Sequence, residues 1–255
     1  MVSSLKISVI TVVLNRQDTI GDTLRSVTSQ TYGDVEHILI DGGSTDGTMD
    51  VLNANEHQID VLLSESDRGI YDALNKGITL ATGDVVGFLH GDDVFADPGV
   101  LSRIAEVFAD EAVGAVYGDL DYVRAEDMVT VIRHWSAGHY SKSKLTWGWM
   151  VPHPTFYVRR SLYVQLGTFD LRYHIAADYD SMLRFFGYGE VQAAYIPKVL
   201  VKMRLGGTSN RSLANILKKS REDYLILRRN GIGGLGALAW KNLSKVGQFL
   251  IRVRK

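Results

Sequence analysis

Apolar residues recur along this chain in two alternating rhythms. Stretches rich in β-branched and apolar residues, Lys6 to Leu14, Val35 to Ile40, Ile59 to Leu63 and Val85 to Leu89, have the length of strands. The last of these is a continuous apolar run, as a strand covered on both faces requires. Between them the period lengthens. Ile20, Leu24 and Val27 share one helical face, and Ile70, Ala73, Leu74, Gly77, Ile78 and Ala81 fall at i, i+3, i+4, i+7, i+8 and i+11 of another, with Asp72, Asn75, Lys76 and Thr79 off that stripe. Strand and helix alternating at this spacing predict an α/β fold: βαβ units in a doubly wound, mostly parallel sheet with right-handed crossovers.

The strands of such a sheet point their carboxyl ends at the ligand crevice, so the residues just past each strand are the candidates for chemistry. The stretch from Ser64 to Asp93 carries two such ends, Ser64-Glu65 with the turn Asp67-Arg68-Gly69, and Gly91-Asp92-Asp93. Adjacent carboxylates repel, and a divalent cation carrying a diphosphate relieves the repulsion, because Mg²⁺ is held by one or two carboxylates plus phosphate oxygens. Alternatively the pair only begins a loop, with Asp97 capping a helix that opens at Pro98. The turn Asp41-Gly42-Gly43-Ser44-Thr45-Asp46-Gly47-Thr48 lacks the Gly-x-Gly-x-x-Gly order of a dinucleotide site. Asp41 can accept the ring N–H of a uracil-like base while the glycines let the backbone approach, or it can simply form the turn.

Beyond Pro98 a helix buries Val100, Leu101, Ile104 and Phe108. Val113 to Tyr117 returns as a strand, and Asp119 to Arg124 with Met128 to His134 forms a hairpin around Ala125-Glu126-Asp127. Trp135 to Pro154 has no clear period and gathers His139, Tyr140, Trp147, Trp149 and His153, which suits a sugar-binding wall or lid or a loop packed down by its own aromatics. Thr155 to Val158 is a short strand. Asp178 opens a helix carrying Met182, Leu183, Phe185 and Phe186, where Asp also serves as an ordinary N-cap. Strands at Val191 to Ile196 and Val199 to Leu205 close the body at Gly206-Gly207-Thr208-Ser209. A helix with Leu213, Ile216, Leu217, Tyr224 and Leu227 on one face comes next, then a basic amphipathic segment from Leu235 to Ile251.

Length and charge divide the chain. At 255 residues it can bury one sizeable core. It has no cysteine, which excludes a disulfide framework and a thiolate metal site. No run approaches the roughly 18 apolar residues of a spanning helix, and the apolar stretch from Ile7 to Leu14 is broken at Asn15-Arg16-Gln17-Asp18, so it reads as a strand and not a signal peptide. A cytoplasmic protein is expected. From Asn210 onward there are 11 Lys+Arg against 2 Asp+Glu, a net of +9, whereas residues 1–209 carry a net of −10. The expected division is therefore a body over 1–209 and a basic helical tail over 210–255. That tail suits an anionic membrane surface, or packs as a helix with a solvated basic face.

Taken together these residues resemble the inverting family 2 glycosyltransferases with a GT-A fold, of the kind that builds bacterial surface polysaccharides. The resemblance covers roughly residues 5 to 209. It rests on Ile7-Ser8-Val9-Ile10-Thr11-Val12 before Asn15, on the Asp41 to Thr48 turn, on Ser64-Glu65 through Asp67, Gly69-Ile70-Tyr71-Asp72-Ala73 and Asn75-Lys76-Gly77, and on Gly91-Asp92-Asp93. It implies a nucleotide-sugar donor, a UDP-sugar, bound by Thr11, Asn15, Asp41, Asp67, Lys76 and Asp92. By the same resemblance Asp93, with Asp92, would ligate Mg²⁺ or Mn²⁺, and Asp178 would be the catalytic base. Trp147, Trp149 and His153 would face the acceptor, a lipid-linked saccharide at the inner face of the cytoplasmic membrane, and no nucleic-acid partner is expected. Two positions depart from the pattern: Ala177 stands where the family carries the Glu of a Glu-Asp pair, and Gly91 stands at the first position of the usual Asp-x-Asp. A non-catalytic sugar-nucleotide module and a nucleotidyltransferase remain as alternatives, although Asn15-Arg16-Gln17-Asp18 lacks the glycine-rich phosphate loop of the latter.

Overall fold

In the computed structural model, residues 5–145, 147–189, 191–205, 213–231 and 236 are described. The N-terminal half follows the predicted alternation. Strands β1 (Ile7–Val13), β2 (Val35–Asp41), β3 (Val61–Ser64) and β4 (Val85–Phe88) lie in the order β3-β2-β1-β4, and all three pairings are parallel. Helices α1 (Ile20–Thr28), α2 (Thr48–Ala54) and α3 (Ile70–Leu80) make the crossovers. Since successive strands run the same way, the loops after β1, β2, β3 and β4 all open at one edge of the sheet.

The other half is mixed. After β5 (Val94–Phe95) and α4 (Val100–Phe108), strand β6 (Ala115–Val123) forms an antiparallel hairpin with β7 (Val131–Trp135). Strand β8 (Tyr157–Arg159) sits antiparallel between β4 and β6, and β9 (Ala193–Arg204) runs parallel to β6 and antiparallel to β5. The expected parallel sheet thus describes one side of the molecule, and β8 marks where it changes. Two pairs of expected strands also merge. Val113 to Tyr117 and Asp119 to Arg124 lie along the single strand β6, and the break at Pro197 is a bulge inside β9, where the register shifts opposite Gly118 to Leu120. Proline cannot donate to the ladder, so the sheet absorbs it as an irregularity.

The remaining helices are α5 (Lys142–Leu145), α6 (Arg160–Leu166), α7 (Ala177–Leu183) with a π-turn over Arg184–Tyr188, and α8 (Leu213–Arg229). The face expected of α4, namely Val100, Leu101, Ile104 and Phe108, is buried. That of α3 is rotated at its start. Ile70 is 45% exposed, while Tyr71 and Asp72 are buried, because the first turn overhangs the strand ends and Tyr71 packs on Phe169, with ring centroids 5.5 Å apart. On α8 the buried residues are Glu222, Asp223, Ile226 and Leu227, with Tyr224 only half-buried. The side chains of Leu213, Ile216 and Leu217, the segment from Gly206 to Ser209 and all of Leu235 to Ile251 except Gly236 lie outside the described residues.

The seam between β4 and β8 depends on a missing side chain. A Cβ on Gly87 would stand 2.0 Å from the Tyr157 ring, and Tyr157 is fully buried. Gly87→Ala is therefore expected to cost about 3 kcal/mol, the range of overpacking in a filled core. Urea denaturation followed by tryptophan fluorescence would show it, and an unchanged midpoint would reject this account of the seam.

Candidate active site

The loop after β1 is stitched to the loop after β2. Asn15 takes a left-handed conformation, with φ of 53°, which asparagine tolerates better than most residues. Its side-chain oxygen accepts the Thr45 N–H at 2.9 Å, and its own N–H donates to the Ser44 hydroxyl at 2.8 Å. The Arg16 and Gln17 N–H groups donate to Thr48 Oγ1 and Asp46 Oδ2 at 2.8 and 3.2 Å. Beneath them the fully buried Asp41 accepts the N–H groups of Gly43 and Ser44, each at 3.0 Å, and the Ser64 hydroxyl at 2.7 Å. Asp41 thereby fixes its own turn and ties the end of β2 to the end of β3.

Asp67 meets this turn from the other side. A Cβ on Gly42 would stand 2.4 Å from Asp67 Oδ2, so glycine at 42 is what lets that carboxylate approach the backbone. Lys76, on α3, holds the turn that carries Asp67. Its ammonium lies 2.8 Å from Glu65 Oε1 and donates to the Ser66 carbonyl at 3.1 Å. Asn15, Asp41, Asp67 and Lys76 therefore converge. Thr11 does not join them: it is fully buried within β1, and its hydroxyl pairs with His37 Nε2 at 2.9 Å. It braces the sheet under the crevice.

The two carboxylates after β4 turn to different partners. Asp92 accepts the Arg16 guanidinium at 3.2 Å, which joins the β4 and β1 loops. Asp93 is 1% exposed, accepts the Arg204 N–H through Oδ1 at 3.3 Å, and leaves Oδ2 buried without a partner. Burial, then the charge of Asp92, pushes the Asp93 carboxyl well above the usual carboxylate range, against the pull of Arg204 and Arg16. Among the described residues no three or more His, Asp or Glu side chains gather into a complete metal site. An orphaned oxygen on Asp93 beside the half-exposed Asp92 suits a cation whose other ligands arrive as phosphate and water.

Asp178 is half-buried in the first turn of α7. The expected N-cap role is not what it does. Ala176 holds the cap position, with no side-chain bond, and Asp178 Oδ1 instead accepts the Tyr71 hydroxyl at 3.1 Å and the Tyr179 N–H at 2.8 Å. Burial and the Asp178 charge raise the Tyr71 phenol well above its ordinary value, so it stays protonated and can donate. The same hydroxyl lies 2.8 Å from the Ile175 carbonyl. Beside Asp178 stand two neutral imidazoles. Burial holds His153 at about 4, opposed by the Asp178 charge. His90 is lowered by burial too, opposed first by Asp92 and then by Asp178. Their rings are 6.0 Å apart, and His153 stacks on Phe88 at 5.1 Å.

The three expected acceptor residues are thus separated. Trp147 is 56% exposed. Trp149 packs among Tyr117, Tyr140 and Phe186 and donates its indole N–H to the Ala137 carbonyl at 2.9 Å. The nitrogens of His153 are buried without partners near Asp178. Sequence reasoning missed Arg16, Tyr71 and His90, although all three lie in or next to the motifs it singled out. It also missed Arg204 and Glu222, which no local pattern marks.

Residues 8–166 match the family model described as Glycosyl transferase family 2. The chain belongs to that family. This glycosyltransferase is 33% identical over 208 residues to the PGL/p-HBAD biosynthesis glycosyltransferase of Mycobacterium tuberculosis, covering 80% of this chain and 78% of that protein. It is 36% identical over 187 residues to an uncharacterized glycosyltransferase of the same species, covering 72% and 70%. Solved structures share its GT-A fold. The mannosyltransferase PcManGT from Pyrobaculum calidifontis, in complex with GDP-Man and Mn²⁺, superposes with a TM-score of 0.69 at 22% identity, over 98% of this chain and 73% of that one. Residues 1–349 of S. aureus TarS, in complex with UDP-GlcNAc, give 0.69 at 15% identity over 98% and 76%. The glycosyltransferase spans 46% of the longer TarS chain.

Asp93 makes a prediction about the ligand-free enzyme. Its raised folded pKa means that the ionised form destabilises the fold once the pH exceeds the ordinary carboxylate value of about 4. Asp93→Asn removes that ionisation, so at about pH 7.5 the variant should melt no lower than wild type, and the comparison should shift toward wild type as the pH falls to about 4. A variant that melts well below wild type at about pH 7.5, by differential scanning fluorimetry, would contradict this reading of Asp93.

Proposed function

We propose that the enzyme transfers a sugar, with inversion, from a UDP-sugar to a hydroxyl of a lipid-linked saccharide, with Asp178 as the base. The observation that carries this reading is that Asp178 is brought to the ends of the parallel strands, where it accepts the hydroxyl of Tyr71 in the first turn of α3 and its charge acts on His90, just past β4. His90 and His153 stand beside it, and His90 feels both Asp92 and Asp178. Inversion needs an acceptor hydroxyl to attack from the face opposite the departing diphosphate, and a base on that face. Solved relatives of the same fold bind UDP-GlcNAc, or GDP-Man with Mn²⁺, which supports a nucleotide-sugar donor on the loop side.

On that side Asp41 and Asp67 hold the nucleoside, with Asn15 and Lys76 keeping their loops in place, and Asp92 lies by the ribose. A divalent cation, Mg²⁺ or Mn²⁺, would be held by Asp93 and Asp92 together with the diphosphate and would neutralise charge on the leaving group. Asp178 takes the acceptor proton while Tyr71 orients its carboxylate. Ala177 is fully buried, so its side chain belongs to the core and leaves Asp178 as the carboxylate presented by that turn. Trp147 offers an exposed ring for the acceptor sugar. The net +9 of residues 210–255 supports docking to an anionic membrane surface as a peripheral protein, and no helix among the described residues is long and apolar enough to cross one.

Transfer or hydrolysis from a panel of UDP-sugars, with Mn²⁺ and with EDTA, tests the donor and the cation. Asp178→Asn should leave UDP affinity nearly intact and cut turnover by roughly 100-fold, the usual size of base catalysis. Turnover within a few-fold of wild type would reject Asp178 as the base. Deleting residues 232–255, which leaves α8 with its buried Ile226 and Leu227 in place, should abolish co-sedimentation with anionic liposomes, and equal binding with and without them would remove the membrane reading.

A further inference from the structure

The first N–H groups of a helix and of the turn leading into it have no partner within the helix. In α7 no side chain at Ala176 supplies one. The N–H groups of His174, Ile175 and Ala176 converge instead on a single carboxylate from α8, that of Glu222: His174 donates to Oε1 at 3.1 Å, and Ile175 and Ala176 donate to Oε2 at 2.9 and 3.0 Å. Glu222 is 7% exposed, and its helix is seated by Ile226 and Leu227, both fully buried. Backbone N–H groups arranged this way form an anion-binding concavity, here filled by the protein's own side chain.

We propose that Glu222 is a positioning residue for Asp178, fixing the turn before α7 from a helix 44 residues farther along the chain. The assignment rests on the reading of Asp178 as the base. The same turn is gripped from two sides. Glu222 takes its N–H groups, while the Tyr71 hydroxyl reaches the Ile175 carbonyl and Asp178 Oδ1. If the turn slips away from Glu222, Ile175 and Asp178 move relative to Tyr71, and the carboxylate leaves the orientation in which it can meet an acceptor hydroxyl. Misplacement of a reacting group by about 1 Å can cost on the order of 100-fold in rate. None of these bonds touches the donor-side loops, so donor binding should not register the change.

Glu222→Gln keeps the size of the side chain but sets an amide NH₂ against one of the N–H donors. In the full-length enzyme it should lower kcat by about 10-fold or more, leave the UDP dissociation constant within about 2-fold, and speed amide hydrogen exchange at residues 174–176. In an Asp178→Asn background the same change should cost less than about 2-fold further, because residues that act as a unit are non-additive. Glu222→Asp, which keeps a carboxylate one methylene shorter, should fall between wild type and Glu222→Gln in kcat, and it carries the test if the glutamine variant does not fold. A kcat within about 2-fold of wild type for both variants would overturn the proposal, as would an equal loss in the Asp178→Asn background. Full activity of Asp178→Asn alone would instead refute the base, a separate result.

Discussion

A carboxylate taken out of water has to be given donors, and the way this chain supplies them shapes both walls of the crevice. Asp41 is satisfied by two backbone N–H groups and the Ser64 hydroxyl, Glu222 by three backbone N–H groups. Each carboxylate fixes a loop, and the loop in turn presents further groups to the crevice. Asp93 is the exception. It is as buried as the other two, yet one of its oxygens has no donor, and the charge of Asp92 adds to burial against its ionised form. A group left so is poorly placed as a bare anion and well placed to receive positive charge.

The two walls are secured at different ranges. The donor-side loops are joined by bonds among residues 14 to 92, between strands adjacent in one parallel sheet, and Asp41, Asn15, Lys76 and Asp92 each reach a neighbouring loop of the same edge. Asp178 takes one local bond, from the Tyr179 N–H, and the rest of its frame is distant. Its orientation is set by Tyr71 from α3, and its turn by Glu222 from α8. One wall is therefore fixed as soon as the parallel strands pair. The other is complete only when α8 has packed Ile226 and Leu227 onto the core, because Glu222 arrives with them.

That difference explains what the sequence disclosed. Strands and helices of the N-terminal half have a clean period, and Gly42, Gly91, Asp41 and Asp92 are marked by turn chemistry within a few residues of strand ends. The same logic failed wherever a partner came from far away. Periodicity put Ile70 inside and said nothing of Tyr71, yet Ile70 is 45% exposed and Tyr71 is buried against Phe169 and Asp178. On α8 the apolar stripe put Leu227 inside, where it is, but the buried face also carries Glu222 and Asp223, charges whose placement inside a fold no period can announce, and Tyr224 is only half-buried. Trp149, Trp147 and His153 are close in sequence and similar in type, and only packing divides them into a core residue, an exposed ring and a buried imidazole beside Asp178.

The departure at position 177 has the same physical basis. The family this chain resembles carries a Glu before the Asp, and here that place is Ala177, fully buried against the core. A helix start favours negative charge, and a second carboxylate there would need donors of its own. The N–H groups of residues 174 to 176, just before it, already point at Glu222. The negative partner of this helix start therefore comes from α8 and not from α7 itself, and a small apolar residue at 177 packs into the core beside the half-buried Asp178.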